Sequence, residues 1–319
     1  MSHAPTCLAI LLATAPLAAA QDAPPPAALP YTLPATMEHH RFFVEATTAK
    51  GDVLRLFTDT GGGMNLTTTG ADKLGVSYTL PSNPAQEPAG TTPWPAYSGA
   101  WIPLPKSAGA EGFELPILVA PPGMTMDGML GAAWFGDRTW EWDYRAGTLR
   151  LLRDGALPPV APAHRVALGF QQDEAGARTT HFPRLPARID GVELQFLFDT
   201  GATFRLDETA AVALGDAAVR ERAGSFITRT VMDGWRTQHP DWPYLEQGDG
   251  KAAMIQVPDV EIAGFHTGPV WFSARPDSAF HEYMAQWMDQ PVDGALGGNA
   301  FASFRVTVDY VEAAATFER

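Results

Sequence analysis

Short apolar runs separated by glycine- and proline-rich turns dominate the pattern of this chain, and the period is that of strands rather than long helices. Phe42-Phe43-Val44-Glu45-Ala46 and Val53 to Phe57 flank a polar turn at Ala49 to Asp52, which predicts a hairpin. Ala71 to Leu74 fits a short helix stopped by Gly75. A Pro- and Gly-rich loop follows from Pro81 to Pro95. Ser98 to Pro103 is one expected arm of a projecting hairpin, and Glu114 to Ala120 is a strand. Trp140 to Tyr144, a Gly147 turn and Thr148 to Leu152 close this half. The same plan then returns. Arg184 to Ile189 and Val192 to Phe198 flank an Asp190-Gly191 turn. Glu208 to Leu214 is a short helix before Gly215, and Met254 to Ile262, Pro269 to Ser273 and Phe304 to Tyr310 read as strands. The expected class is all-β with short helices.

Two of these strands end in the same unusual way. Leu54 to Thr58 runs into Asp59-Thr60-Gly61, and Val192 to Phe198 runs into Asp199-Thr200-Gly201, 140 positions later. An apolar run ending on an acid sets that carboxylate at the edge of a core, where desolvation raises its pKa. A second repeat accompanies the first. Asp127, Gly128, Leu130, Gly131, Phe135, Asp143 and Tyr144 recur, in register, as Asp293, Gly294, Leu296, Gly297, Phe301, Asp309 and Tyr310. Taken alone, each D-T-G is an ordinary aspartate turn. Two matched motifs in one order identify a duplicated half-chain.

Composition refines the picture. At 319 residues the chain can hold two domains of ordinary size. The formal charge of −14 argues against nucleic acid and anionic membranes as partners. The first 20 residues contain no Lys, Arg, Asp or Glu, and Cys7 to Ala20 closes on three alanines, as a secretory signal does. Cys7 is the sole cysteine, so a mature chain has no disulfide, thiol nucleophile or cysteine metal site. The expected location is periplasmic or secreted. The expected organisation is a signal peptide at 1–20, a Pro/Ala-rich tether at 21–36, one half at 37–154, a linker at 155–163 and the other half at 164–319. The second half carries a polar, tryptophan-containing insertion at 228–251.

With these motifs in hand, the chain resembles aspartic proteases of the pepsin and retropepsin type. The resemblance covers roughly residues 40 to 319, with one lobe per half. It implies two all-β lobes related by a pseudo-twofold axis, with a cleft between them. It further implies catalysis by Asp59 and Asp199, supported by Thr60, Gly61, Thr200 and Gly201, on a polypeptide substrate. No cofactor or metal is expected, and the molecule is expected to be a monomer. Tyr97 occupies the sequence position of a candidate flap residue, with an aromatic in an irregular surface loop as the alternative. Trp94, Trp101, Trp235 and Trp242 are candidate cleft walls, although core packing is the commoner fate of tryptophan. The histidines show no metal-ligand spacing.

The chemistry explains the residue types. Two carboxylates about 3 Å apart cannot both ionise, so they share a proton, as the dyad of aspartic proteases does. The ionised member takes a proton from water and the protonated one polarises the peptide carbonyl. Thr58 and Gly62 depart from the family pattern, where an apolar residue and Ser, Thr or Ala are usual. Together with the insertion at 228–251, they support a second reading, a catalytically inactive peptide- or ligand-binding protein on the same scaffold.

Overall fold

A computed structural model describes residues 25–26, 28–107 and 112–319. The expected signal peptide at 1–20 lies outside the described residues. Strands dominate and the helices are short, the longest described α-helix being Arg229–Gln238. The first half builds an eight-stranded sheet in which Arg41–Thr48, Val53–Thr58, Gly128–Leu130 and Asn65–Thr67 are successive neighbours. The second half builds a nine-stranded sheet with Arg184–Ile189, Val192–Phe198, Gly294–Leu296 and Ser225–Thr228 in the matching order. A third, six-stranded sheet takes strands from both halves. In it Thr139–Asp143 pairs antiparallel with Arg305–Asp309, Thr139 opposite Asp309 and Asp143 opposite Arg305.

The second repeat explains why the aspartate strands end where they do. Leu56, Phe57 and Thr58 pair in parallel with Gly128, Met129 and Leu130; Phe196, Leu197 and Phe198 pair likewise with Gly294, Ala295 and Leu296. The Asp127 carboxylate accepts the Arg55 N–H at 2.8 Å, and Asp293 accepts that of Gln195 at 2.7 Å. Each acid thus pins its strand four residues before the aspartate at the turn. Gly128 and Gly294 have no room for a side chain. A Cβ at Gly128 would lie 2.7 Å from the Asn65 carbonyl oxygen, and one at Gly294 would overlap that of Phe226. Leu130 and Leu296 then present the carbonyls that receive the N–H groups of Asp59 and Asp199, at 3.0 and 2.9 Å.

The core is aromatic. Phe196 and Phe198 are fully buried, and Phe198 packs on Phe301 and Trp142, the latter from the first half. Burying each ring contributes roughly 2 kcal/mol. Asp143 and Asp309 are strand-end turn residues: each Oδ1 accepts two backbone N–H groups just beyond it.

Several expectations are adjusted. Tyr31–Thr32 and Ala35–Glu38, within the expected tether, pair as strands. The stretch Met254 to Ile262 is two strands, broken at Pro258 and Asp259 because proline cannot donate to a ladder. Of Ser98 to Pro103 only Ser98 lies in a strand, the two-residue Tyr97–Ser98. The segment 228–251 is a helix, Arg229–Gln238, and an edge strand, Tyr244–Asp249.

Two glycines of opposite kind test this packing. Gly294→Ala should cost about 1–3 kcal/mol through overpacking, whereas Gly234→Ala, in an open position of the longest helix, should gain about 0.5–1 kcal/mol from helix propensity. Chemical denaturation of the two variants beside the parent chain reads both signs.

Candidate active site

Asp59 and Asp199 are brought together. Each leaves its strand into a turn in which its own carboxylate accepts the N–H two residues on, Gly61 to Asp59 Oδ1 at 2.9 Å and Gly201 to Asp199 Oδ1 at 3.0 Å. The two carboxyls lie close enough for each to shift the other's proton affinity. Gly61 and Gly201 make this approach possible: a Cβ at Gly61 would sit 2.6 Å from Asp199 Cγ, and one at Gly201 would overlap the Asp59 carboxylate. Each glycine therefore belongs to the opposite aspartate's surroundings as much as to its own turn.

Thr60 and Thr200 join the two turns. The Thr60 hydroxyl donates to the Phe198 carbonyl at 2.6 Å and accepts the Thr200 N–H at 3.0 Å. In return, the Thr200 hydroxyl donates to the Thr58 carbonyl at 3.4 Å and accepts the Thr60 N–H at 3.2 Å. Both side chains are fully buried. Gly131 and Gly297 close the base, since a Cβ at either would overlap the carbonyls of Gly62 and Gly63 or of Gly224.

The two departures from pattern are both accommodated. The Thr58 hydroxyl is buried and donates to the Phe42 carbonyl at 3.0 Å, so it leaves no unpaired donor. Gly62 leaves free the space that the Asp59 carboxylate occupies, where a Cβ would overlap Oδ2.

Electrostatics separates the pair. Burial raises the pKa of Asp59, with the hydrogen bonds from Asp199, Gly61 and Gly62 opposing. Asp199 is raised well above the ordinary carboxylate range, first by burial and then by the charge of Asp59 beside it. One proton on Asp199 with Asp59 ionised is the arrangement these directions favour.

Both carboxyls open on a cleft of about 710 Å³. Its lining is apolar at Phe43, Phe57, Pro121, Pro122, Met124, Met126 and Met129 and charged at Arg41, Arg205, Glu221, Asp249 and Arg275. Sequence reasoning missed this lining. Tyr97 does not reach the cleft: it is buried in a short strand paired with Thr47 and Thr48 and packs edge-on against Trp94. Trp94 and Trp101 line a separate cavity of about 250 Å³, and Trp235 is buried against Phe272 and Trp242. Among the described residues there is no His, Cys, Asp and Glu cluster able to hold a metal, and no helix long and apolar enough to cross a membrane.

No protein-family model matches the chain, and no curated protein matches it. Among solved structures it is similar to the crystal structure of a retropepsin-like aspartic protease from Rickettsia conorii, at 15% identity across 44% of this chain and 79% of that one, with a TM-score of 0.26. A likeness of that size carries no argument about this chain's activity.

The raised pKa of Asp199 has a consequence for stability. Its carboxyl binds a proton more tightly folded than unfolded, so its contribution is full below the ordinary value of 3.8 and is lost as pH rises through the folded value. Asp199→Asn removes that loss and keeps the Gly201 hydrogen bond. The variant should therefore melt above the parent at pH 7, with the gap closing toward pH 3, as followed by calorimetry across that range.

Proposed function

We propose that this chain is an aspartic endopeptidase in which Asp59 and Asp199 activate one water molecule for attack on a peptide bond. The observation that carries the reading is the convergence of two strand-end carboxyls, each set against the other's turn glycine, on one cleft. Asp59, the less raised of the two, is the base. It takes a proton from water as the oxygen attacks the peptide carbonyl carbon. Asp199 donates its proton to the carbonyl oxygen, giving a neutral tetrahedral diol. A proton then passes from Asp59 to the leaving nitrogen, the C–N bond breaks, and a diol hydroxyl returns a proton to Asp199. Atoms and charge balance with no covalent intermediate.

The same reading treats residues 37–154 and 164–319 as two lobes around a pseudo-twofold axis, with 155–163 as the linker. Support comes from the shared ladder, where Thr139 faces Asp309 and Asp143 faces Arg305. Those partners exchange under the 166-position offset of the second repeat. A cleaved leader at 1–20, a periplasmic or secreted location and a monomeric state complete the proposal, on the strength of the uncharged N-terminal stretch and the confinement of cysteine to it. The inactive-binder reading rested on Thr58, Gly62 and the insertion at 228–251, the last of which neither adds to nor removes the dyad. Thr58 and Gly62 are accommodated without displacing Asp59, and no observation favours that reading.

Asp59→Asn and Asp199→Asn should each lower peptide hydrolysis by at least about 10³-fold, a loss in the range of removed acid–base catalysis. A quenched-fluorescence peptide library, with circular dichroism showing the fold retained, checks this; a fully active variant of either kind overturns the assignment.

The pH profile of kcat/KM should be bell-shaped. Activity fails at low pH when both carboxyls are protonated, and at high pH when Asp199 loses its proton. Because burial and the neighbouring charge hold that proton, the alkaline limb should fall well above the ordinary carboxylate range. An alkaline limb near pH 4 would contradict this ordering.

A further inference from the structure

The charged wall of the cleft is built outward from Asp199. After the turn the chain extends as Thr203–Arg205, paired antiparallel with Glu221–Ala223 so that Arg205 faces Glu221. Strand alternation sends Phe204 fully into the core and leaves Thr203 and Arg205 on the cleft face. At the usual strand rise, Arg205 stands about 6–7 Å beyond Thr203, or about two residues of an extended peptide.

The charges on this wall do not cancel. Arg275 is committed to Asp249 at 2.6 Å, donates to Ser273 Oγ and the Ala274 carbonyl, and lies over the Phe226 ring. Arg41 is only 10% exposed and grips Glu221 twice, at the carboxylate (3.2 Å) and the carbonyl (3.3 Å). Arg205 makes one ion pair among the described residues, Nε to Glu221 at 3.4 Å, and its side chain is 75% exposed. On this wall three guanidiniums meet two carboxylates, and the ionised Asp59 balances the cleft as a whole, so Arg205 stands out by its exposure and its single ion pair. A guanidinium held this loosely keeps its fork available for a planar carboxylate. The methionines and prolines of the lining offer apolar contact.

We propose that Arg205 is a specificity-determining residue that binds a carboxylate of the peptide substrate a few residues from the cleaved bond, while Arg41 and Arg275 stay bound to their own partners. The word substrate rests on the peptidase reading above; the recognition itself does not need turnover. The carboxylate has two sources, an Asp or Glu side chain or the free C-terminus of a short peptide.

The test uses fluorescein-labelled decapeptides with a central Leu-Phe. One series carries a single Glu at successive positions with an amidated C-terminus, a second replaces Glu by Gln, and a third combines Gln with a free C-terminus. Binding to the full chain bearing Asp199→Asn is read by fluorescence anisotropy. A peptide with a carboxylate in reach should bind about five- to tenfold more tightly than its neutral partner, as for a charge-assisted pair, with the gap narrowing in salt. Adding Arg205→Gln should remove the gap, and Arg205→Glu should reverse it in favour of Lys at the same position. Discrimination in the amidated Glu series assigns a side chain; discrimination only in the third series assigns the terminus. Equal binding throughout, or discrimination that survives Arg205→Gln, overturns the proposal. Cleavage of the same peptides by the unaltered chain separates this failure from the other. Hydrolysis without discrimination leaves the peptidase standing and removes Arg205, whereas discrimination without hydrolysis does the reverse.

Discussion

Each threonine that follows a strand-end aspartate is fully buried and directs its hydroxyl into the other half of the chain. Thr60 reaches the Phe198 carbonyl and Thr200 reaches that of Thr58, while each hydroxyl also accepts the other's N–H. Four hydrogen bonds join six polar groups in this arrangement, and separating the halves locally would break all four in a dry interior. Each such loss costs about 1–3 kcal/mol. The spacing of Asp59 and Asp199 is therefore fixed by an interlock behind them, although two acids left to themselves would move apart.

That interlock stands on the D-G-x-L-G segments. Asp127 and Asp293 hold the preceding strands by their backbone, the first glycine of each lets a neighbouring strand approach, and Leu130 and Leu296 receive the aspartates' own N–H groups. The aromatic core formed by Trp142, Phe198 and Phe301 ties these supports to the shared six-stranded sheet. A rigid base of this kind makes the electrostatic cost of the pair unavoidable, and holding one proton relieves it. The chemistry proposed for the cleft follows from that relief.

Much of this was legible in the residues because backbone demands are local. Arg184–Ile189, the Asp190-Gly191 turn with both residues at positive φ, and Val192–Phe198 match their sequence pattern throughout. The helix before Gly75 is stopped by that glycine in the left-handed region, as its position implied. The paired D-T-G turns announced themselves by repetition. The walls of the cleft did not, since they are assembled from distant segments: Arg41 from one half, Glu221 and Arg275 from the other, and Met124 from a loop between strands. A partial signal did exist in the alternation of Gly201, Thr203 and Arg205 along one strand face. Tyr97 misled because counting from Asp59 says nothing of which strand will claim it, and here Thr47 and Thr48 do.

The central claim is that a cross-linked turn pair compels two carboxyls to share a proton. Its most direct measurement is a ¹³C NMR titration of the aspartate carboxyl carbons, with Asp59 and Asp199 assigned by the two Asn variants. The account predicts mutually dependent curves, Asp199 taking up its proton well above the ordinary carboxylate range while Asp59 is still ionised. Two independent curves, each centred near the value of a solvated aspartate, would contradict it.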